Sequence, residues 1–408
     1  MVRDVWPLAT IAIVIAGLAA QNAALALLGF AVGVSCGGAQ LLSKWSLRRL
    51  HYQRIVPEVR AFPGDNVDVT LRITNRKPLP LWWIEVRDGY PASTGGAVTE
   101  TGPSPAAIRT EVEWKAAAGA YEKISHGYSF PAPPRGAYDL GPATIRTGDP
   151  FGLFPEERIG HENTRILVYP RMVDIGEQPM PSRRPFGETS GGLRIFEDPS
   201  RVAGLRDYQP GDPLRRIDWK ATARIGRLQS RVYEPTSSQH LLICLNTATV
   251  TPTWAGFIPE LFEGAITIAA SVGRWAHEQR YSVGLLATSS VADAPRAIRI
   301  PPGRESGQLA RLLEALAVVT PYVLDSLSAM LDREEHRMAV GTTLAVITST
   351  MPEDLVETLL RLRRRGHPIV VLSPSGNRWQ GELEGIEVRN LSVGEATGSF
   401  APPPEATP

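Results

Sequence analysis

"LLICLNTATV", residues 241 to 250, opens with five apolar residues and ends with five that carry no charge. A short continuous apolar run closed by such a loop reads as a strand buried on both faces. Downstream, an amphipathic helix is expected over about 258–279. "YSVGLLA" (281–287) reads as the next strand, with helices near 306–319 and 324–337. "TLAVIT" (343–348) is a strand, 353–365 a helix and "PIVVL" (368–372) a strand. This alternation predicts a doubly wound α/β sheet with helices on both faces. Ligands of such sheets sit beyond the carboxyl ends of the strands, here 246–249 and 348–350.

Immediately upstream lies "LRDYQPGDPLRRIDWKATAR" (205–224), with eight charged side chains in twenty residues. The net charge of the whole chain is only +1, which gives no reason to expect nucleic acid as a partner. Asp207, Asp212 and Asp218 alternate with Arg206, Arg215, Arg216, Lys220 and Arg224. Two roles are open for this segment. Arginine forks fit carboxylates and would pin it to the sheet, with Gly211 making a turn, Asp212 capping the next element and Trp219 burying its ring. Alternatively it is a docking surface, since Arg and Trp are enriched among interface hot spots.

Before it, Val67, Val69, Leu71 and Ile73 alternate with Asp68, Thr70, Arg72 and Thr74, the period-two pattern of a half-buried strand. "LWWIEV", "EVEW", "GAYDLG", "ATIRT" and "RILVY" read likewise. Short strands separated by Gly and Pro predict an antiparallel β-sandwich over 52–170. No cluster of titratable groups is expected in it, and Asp149 in "TGDPFG" reads as a turn residue. Residues 171–203, rich in Pro, Gly, Ser and charge, read as a linker, and 393–408 as a disordered tail.

The first fifty residues hold two apolar runs, 5–20 and 23–42, broken by Gln21-Asn22. They predict a transmembrane helical hairpin over 1–50. Arg3 lies before it and Lys44, Arg48, Arg49, Arg54 and Arg60 after it, so both ends and the soluble domains are expected in the cytoplasm of a multi-pass cell-membrane protein. A cleaved signal peptide is disfavoured by the second full-length run. Gly29, Gly33 and Gly37 repeat along one face, where a neighbouring helix approaches closely: the first helix, or a second copy of the chain. Cys36 and Cys244 are too few for a disulfide framework and suit a reducing compartment.

Arg206, Tyr208, Gly211, Asp212, Arg215, Ile217, Asp218, Trp219, Ala223 and Arg224 reproduce R-x-Y-x-x-G-D-x-x-R-x-I-D-W-x-x-x-A-R. In this the chain resembles the bacterial family catalogued as domain of unknown function 58. "RGAYDLGPATIRTGDPFGLF" (135–154) is similar to the family's lead-in. Where many members carry Gly-rich sequence ending in Glu-Phe, "EDPSRVAG" stands instead. The resemblance implies a von Willebrand A-like domain, over 204–392 together with the charged segment. It also implies a MoxR-type AAA+ ATPase as partner, a transglutaminase-like membrane protein as a further one, and a role in assembling or maturing envelope complexes.

Von Willebrand A domains often hold magnesium through D-x-S-x-S after the first strand, a threonine from a second loop and an Asp after a later strand. A hard cation needs such oxygen ligands, some of them anionic. Here the first three positions hold Asn246, Ala248 and Val250, and Ser349 stands where the last Asp is expected. No metal and no cofactor is therefore expected. The seven histidines have no metal-ligand spacing, and no catalytic motif is found. The chain reads as a non-enzymatic, membrane-anchored scaffold or adaptor. The alternatives are a magnesium-dependent ligand-binding receptor and an unrecognised hydrolase.

Overall fold

A computed structural model describes residues 2–91, 109–160, 162, 164–174, 197–209, 217–235, 240–291, 294–339, 341–374, 386–393 and 400–401. The chain divides into two compact units. The first holds Met1–Arg171 with Val291–Pro295 and Leu313–Pro321, and the second Met172–Ser290, Arg296–Leu312 and Tyr322–Pro408.

The first unit begins with two antiparallel helices, α1 (Val2–Ala19) and α2 (Ala23–Ser46). Their turn is tight because Gln21 takes a left-handed φ of 50° and the Asn22 side chain accepts from Leu25 N at 3.2 Å, capping α2. A Cβ on Gly17 would stand 2.4 Å from Ala26 N, so only glycine allows this approach. Gly29 faces Ile13 and Val14, Gly33 faces Thr10, and Gly37 faces Trp6. The glycine face of α2 thus packs on α1. One helix among the described residues, α2, is long and apolar enough to cross a membrane, and the apolar part of α1, Val5–Ala19, is shorter. Leu8, Ile15, Leu18, Leu27 and Phe30 are all more than half exposed.

The β part of this unit holds strands β1 (Leu50–Ile55), β2 (Arg60–Ala61), β3 (Asn66–Asn75), β4 (Leu81–Pro91), β5 (Arg109–Ala118), β6 (Lys123–Pro131), β7 (Gly136–Leu140), β8 (Ala143–Thr147), β9 (Glu156–Gly160) and β10 (Thr164–Val168). They form sheets β1-β3-β6, β5-β4-β8-β9 and β2-β10-β7. One core joins all three, with Leu71 and Ile73 from β3, Ile84 and Val86 from β4, Ile145 from β8 and Ile166 from β10. The pairing is antiparallel with one departure from expectation: β2 runs parallel to β10. That pairing spans two residues and joins segments about a hundred positions apart, so no local period announces it.

In the second unit, β11 (Glu197–Asp207) pairs antiparallel with β12 (Gln229–Pro235) around a short helix, α3 (Trp219–Ile225). This corrects the linker reading of 171–203 at both ends. Register shifts near Val202, together with Pro199, break the alternation that would mark β11 as a strand. At the other end Val173 is buried and its N–H donates to Ser271 Oγ at 3.0 Å. The disordered-tail reading of 393–408 is corrected where Val393 pairs with Phe400 and Ser392 with Ala401. Two β-favouring residues suffice for that short ladder. Residues 175–196, 394–399 and 402–408 lie outside the described residues.

The remaining elements are β13 (His240–Leu245), α4 (Pro259–Glu278), β14 (Ser282–Val291), β15 (Ala294–Gly303), α5 (Gln308–Ala317), β16 (Val319–Val323), α6 (Leu327–Glu335), β17 (Thr343–Ile347), α7 (Glu353–Arg364), β18 (Ile369–Ser373) and β19 (Glu387–Asn390). The sheet order is β15-β14-β13-β17-β18-β19, with β16 also paired to β14. Strands β14, β13, β17, β18 and β19 are mutually parallel. Helices α6 and α7 pack on the face of Leu242, Cys244, Leu344 and Val346. On the other face, Ile243 meets α4 at Gly273, beside Leu309 and Leu312 of α5. The helix expected near 306–319 is α5, whereas β15 and β16 on either side of it were absent from the sequence expectation. Their apolar residues are split by Pro301, Pro302 and Pro321, which obscures a strand period.

Candidate functional site

The carboxyl ends of β13 and β17 lie side by side where the strand order reverses. Asn246 Nδ2 donates to Thr348 Oγ1 at 3.1 Å, and Asn246 Oδ1 accepts from Ala248 N at 3.1 Å. Thr288, within β14, accepts from Thr247 N at 3.0 Å and pairs with the Thr247 hydroxyl at 3.0 Å. Thr249 Oγ1 accepts from Ile258 N at 2.8 Å, at the entry to α4. Asn246, Thr247, Ala248, Thr249, Thr288 and Thr348 are all buried, while Val250 and Ser349 are half-buried. The crevice is closed by its own neutral hydroxyls and one carboxamide. A carboxylate would be needed to draw a divalent ion there, and among the described residues no group of His, Cys, Asp and Glu fit for a metal occurs. Thr247 falls in the strand end 246–249 read from the sequence, whereas Thr288 was missed, because β14 continues past it to Val291. Cys244 lies beneath, and burial, followed by the Glu334 charge, pushes its thiol pKa up, so it is an inert core residue.

The charged segment forms a second candidate. Asp218 caps α3: its side chain accepts from Ala221 N at 2.9 Å. Gly226 closes α3 in the left-handed region, at φ 74°. Gln229 N donates to Thr222 Oγ1 at 3.0 Å, and Gln229 Nε2 donates to Asp207 Oδ1 at 2.5 Å. Tyr208 N donates to Leu228 O at 2.9 Å. Ile217, Gln229 and Ser230 are buried and anchor the segment. The expectation that Trp219 buries its ring is overturned: it is 66% exposed, on a helix none of whose residues is buried. Ile225, Leu228 and Leu205 are exposed with it, as are Lys220, Arg224 and Arg227. The apolar members Ile225 and Leu228 were missed because cations interrupt them. Arg206 is half-buried and donates to Asp207 O at 3.2 Å. Gly211, Asp212, Arg215 and Arg216 lie outside the described residues.

The first unit holds a buried charged cluster that the sequence reading missed. Arg54 Nε donates to Asp88 Oδ2 at 3.0 Å, and its Nη2 contacts Asp88 Oδ1. Arg54 Nη1 donates to the carbonyls of Leu140 at 3.0 Å and Glu162 at 2.8 Å, and Tyr128 donates to Asp88 Oδ2 at 2.8 Å. Both charged side chains are wholly buried. Burial alone would lower the Arg54 pKa, but the hydrogen bond and charge of Asp88 hold it above its ordinary value. Burial, then the Asp88 charge, drives the Tyr128 phenol upward. These donors and acceptors are directed at one another in the interior, as befits a structural core. Alternation along β1 puts Arg54 inward with Leu50 and Tyr52, and this was the signal in the sequence. Asp149 is also wholly buried and takes the N–H groups of Phe151 and Phe154, in accord with a turn role.

Residues 204–378 match the family model described as "Protein of unknown function DUF58". The chain is 25% identical over 321 residues to "Uncharacterized protein YeaD" of Bacillus subtilis (strain 168), covering 78% of this chain and 75% of that protein. Among solved structures, it is similar to the sporulation control protein Spo0M from Bacillus subtilis at 13% identity and a TM-score of 0.18, covering 30% of this chain and 50% of that one. A beta-glucosidase from Listeria innocua in complex with isofagomine matches at 11% identity and a TM-score of 0.18, over 29% of this chain and 16% of that one. The chain spans half or less of these two solved structures, and scores so low carry no argument about fold or function.

Proposed function

We propose that this chain is a membrane-anchored adaptor that docks a protein partner through helix α3 and its flanks. Its second unit is read as a metal-free von Willebrand A-like domain. The strand order, counted from β13 with β16 set aside as 3-2-1-4-5-6, and the crevice at its switch point support that reading. Helices α1 and α2 are taken as two membrane spans, with the flanking segments and both units in the cytoplasm on account of the cations after α2. The partner is a MoxR-type AAA+ ATPase, as the family resemblance implies, with a transglutaminase-like membrane protein as a further candidate. The role is assembly or maturation of envelope complexes, without catalysis by this chain and without nucleic acid.

The observation that carries the docking role is the exposure of Trp219, Ile225 and Leu228 within ten residues that also expose Lys220, Arg224 and Arg227. An exposed bulky aromatic in a cation-rich segment has the composition of an interface hot spot, and an exposed ring adds little to the core. The test is capture of a purified MoxR-type ATPase by the detergent-solubilised full chain. Trp219→Ala/Ile225→Ala is expected to weaken capture by at least about tenfold, the scale of one hot-spot residue, while the melting temperature is kept. Undiminished capture by that variant would overturn the docking assignment.

A further inference from the structure

We propose that the loop from Asp149 to Phe154, with Trp82, docks on the lipid surface beside α1 and α2, so that the β part of the first unit grips the bilayer directly. This rests on the reading of the two helices as membrane spans. The loop is built from within. Asp149 Oδ1 accepts Phe151 N at 2.9 Å, its Oδ2 accepts Phe154 N at 2.6 Å, and its carbonyl accepts Trp83 Nε1 at 2.8 Å. Gly152 takes a φ of +70°, the left-handed conformation that glycine allows in so tight a loop. The result is a rigid finger whose outer residues are apolar: Phe151 is 75% exposed and Leu153 is 44% exposed.

The finger is fixed at a definite depth. The Phe154 carbonyl accepts the hydroxyl of Ser43 near the end of α2, and the Phe154 ring meets Trp6 of α1 at 6.2 Å, edge-on. From Ala23 to Ser43 the helix rises about 30 Å, the thickness of a hydrocarbon core. Phe154 therefore stands where the apolar layer gives way to headgroups. Trp45 and Trp82, both about half exposed, line with Leu42, Lys77 and Pro80 a cavity of about 90 Å³ at the same helix end. Tryptophans concentrate at that level of a bilayer. Lys44, Arg48 and Arg49 are exposed beside them and match the anionic surface of a cytoplasmic leaflet. Apolar tip, aromatic belt, cations and depth agree on lipid as the occupant rather than a second protein.

The test uses the full chain carrying Cys36→Ser/Cys244→Ala, with single cysteines bearing an environment-sensitive fluorophore, in phosphatidylcholine–phosphatidylglycerol vesicles. At Phe151→Cys the emission is expected to shift to the blue and to be quenched by lipids spin-labelled near the top of the acyl chain. At Thr110→Cys, which pairs with Tyr90, neither effect is expected, since that site lies about 26 Å from Trp82 along β4. Leu28→Cys, in the first third of α2 and more than half exposed, reports on the span itself. Quenching at position 28 with a water-like signal at 151 overturns the docking proposal and leaves the spans standing. Water-like signals at both sites overturn the span reading beneath it. A blue-shifted but unquenched probe at 151 means that protein covers the finger, which also overturns lipid docking.

Discussion

The two units treat charge in opposite ways. In the first, Arg54 and Asp88 meet with no exposure at all, their donors and acceptors filled by main-chain carbonyls and Tyr128. In the second, among the described charges of the segment 205–224, Asp207, Lys220 and Arg224 are exposed, as is Trp219. Density of charge along the chain is therefore a poor guide to where charge is committed to the fold. A buried pair works as a unit and cannot lose one member. An exposed cation shares its charge with water and salt and is free to meet a partner.

The sharpest way to break this contrast is to remove one member of the buried pair. Asp88→Asn or Arg54→Met is expected to cost about 3–5 kcal/mol, read by denaturant unfolding, because an unpaired charge is stranded in the core. Arg54→Met/Asp88→Leu should cost far less than the sum of the two single changes. Single changes that leave stability intact would mean that the pair is solvated in solution. Next in size is Asn246→Asp, which places a carboxylate in the neutral crevice and removes the donor to Thr348. A loss of about 1–3 kcal/mol is expected. Millimolar magnesium should then raise the melting temperature of the variant and leave that of the wild type unchanged.

Lys77 gives a comparable but pH-dependent effect. Its Nζ donates to the carbonyls of Ser46, Trp45 and Arg48 at the end of α2, and burial pushes its pKa down to about 8. Lys77→Met strands those carbonyls, for an expected loss of about 1–2 kcal/mol at neutral pH. The folded amine sheds its proton near pH 8, whereas the unfolded one keeps it until about pH 10.4. The unfolded state thus binds more protons between those values, and the wild type gains stability across that window. The gap between wild type and Lys77→Met should widen from about pH 8 to about pH 10, and a constant gap would refute the shift. Smallest is Trp219→Ala, for which a stability change within about 0.5 kcal/mol is expected in the same unfolding assay. A larger loss would place the ring in the fold and remove it from the docking face.

Much of the architecture was legible because it is written in local periods. The continuous apolar runs at 241–245 and 344–347 lie in the central parallel strands, and the alternation from Val67 to Ile73 is one face of a core. The helix expected over 258–279 is α4, Pro259–Glu278. That the positions 246, 248 and 349 carry no carboxylate could be read from Asn246, Ala248 and Ser349 directly. Tertiary structure alone decided which distant groups meet. Arg54 finds Asp88 34 residues on and Glu162 108 residues on, and the loop after Asp149 finds Ser43 and Trp6. It also decided that Trp219 stays outside while Ile217, two residues earlier, goes in. Periodicity arises from the geometry of a single element, whereas these contacts depend on where the chain returns, and no spacing along the sequence encodes that.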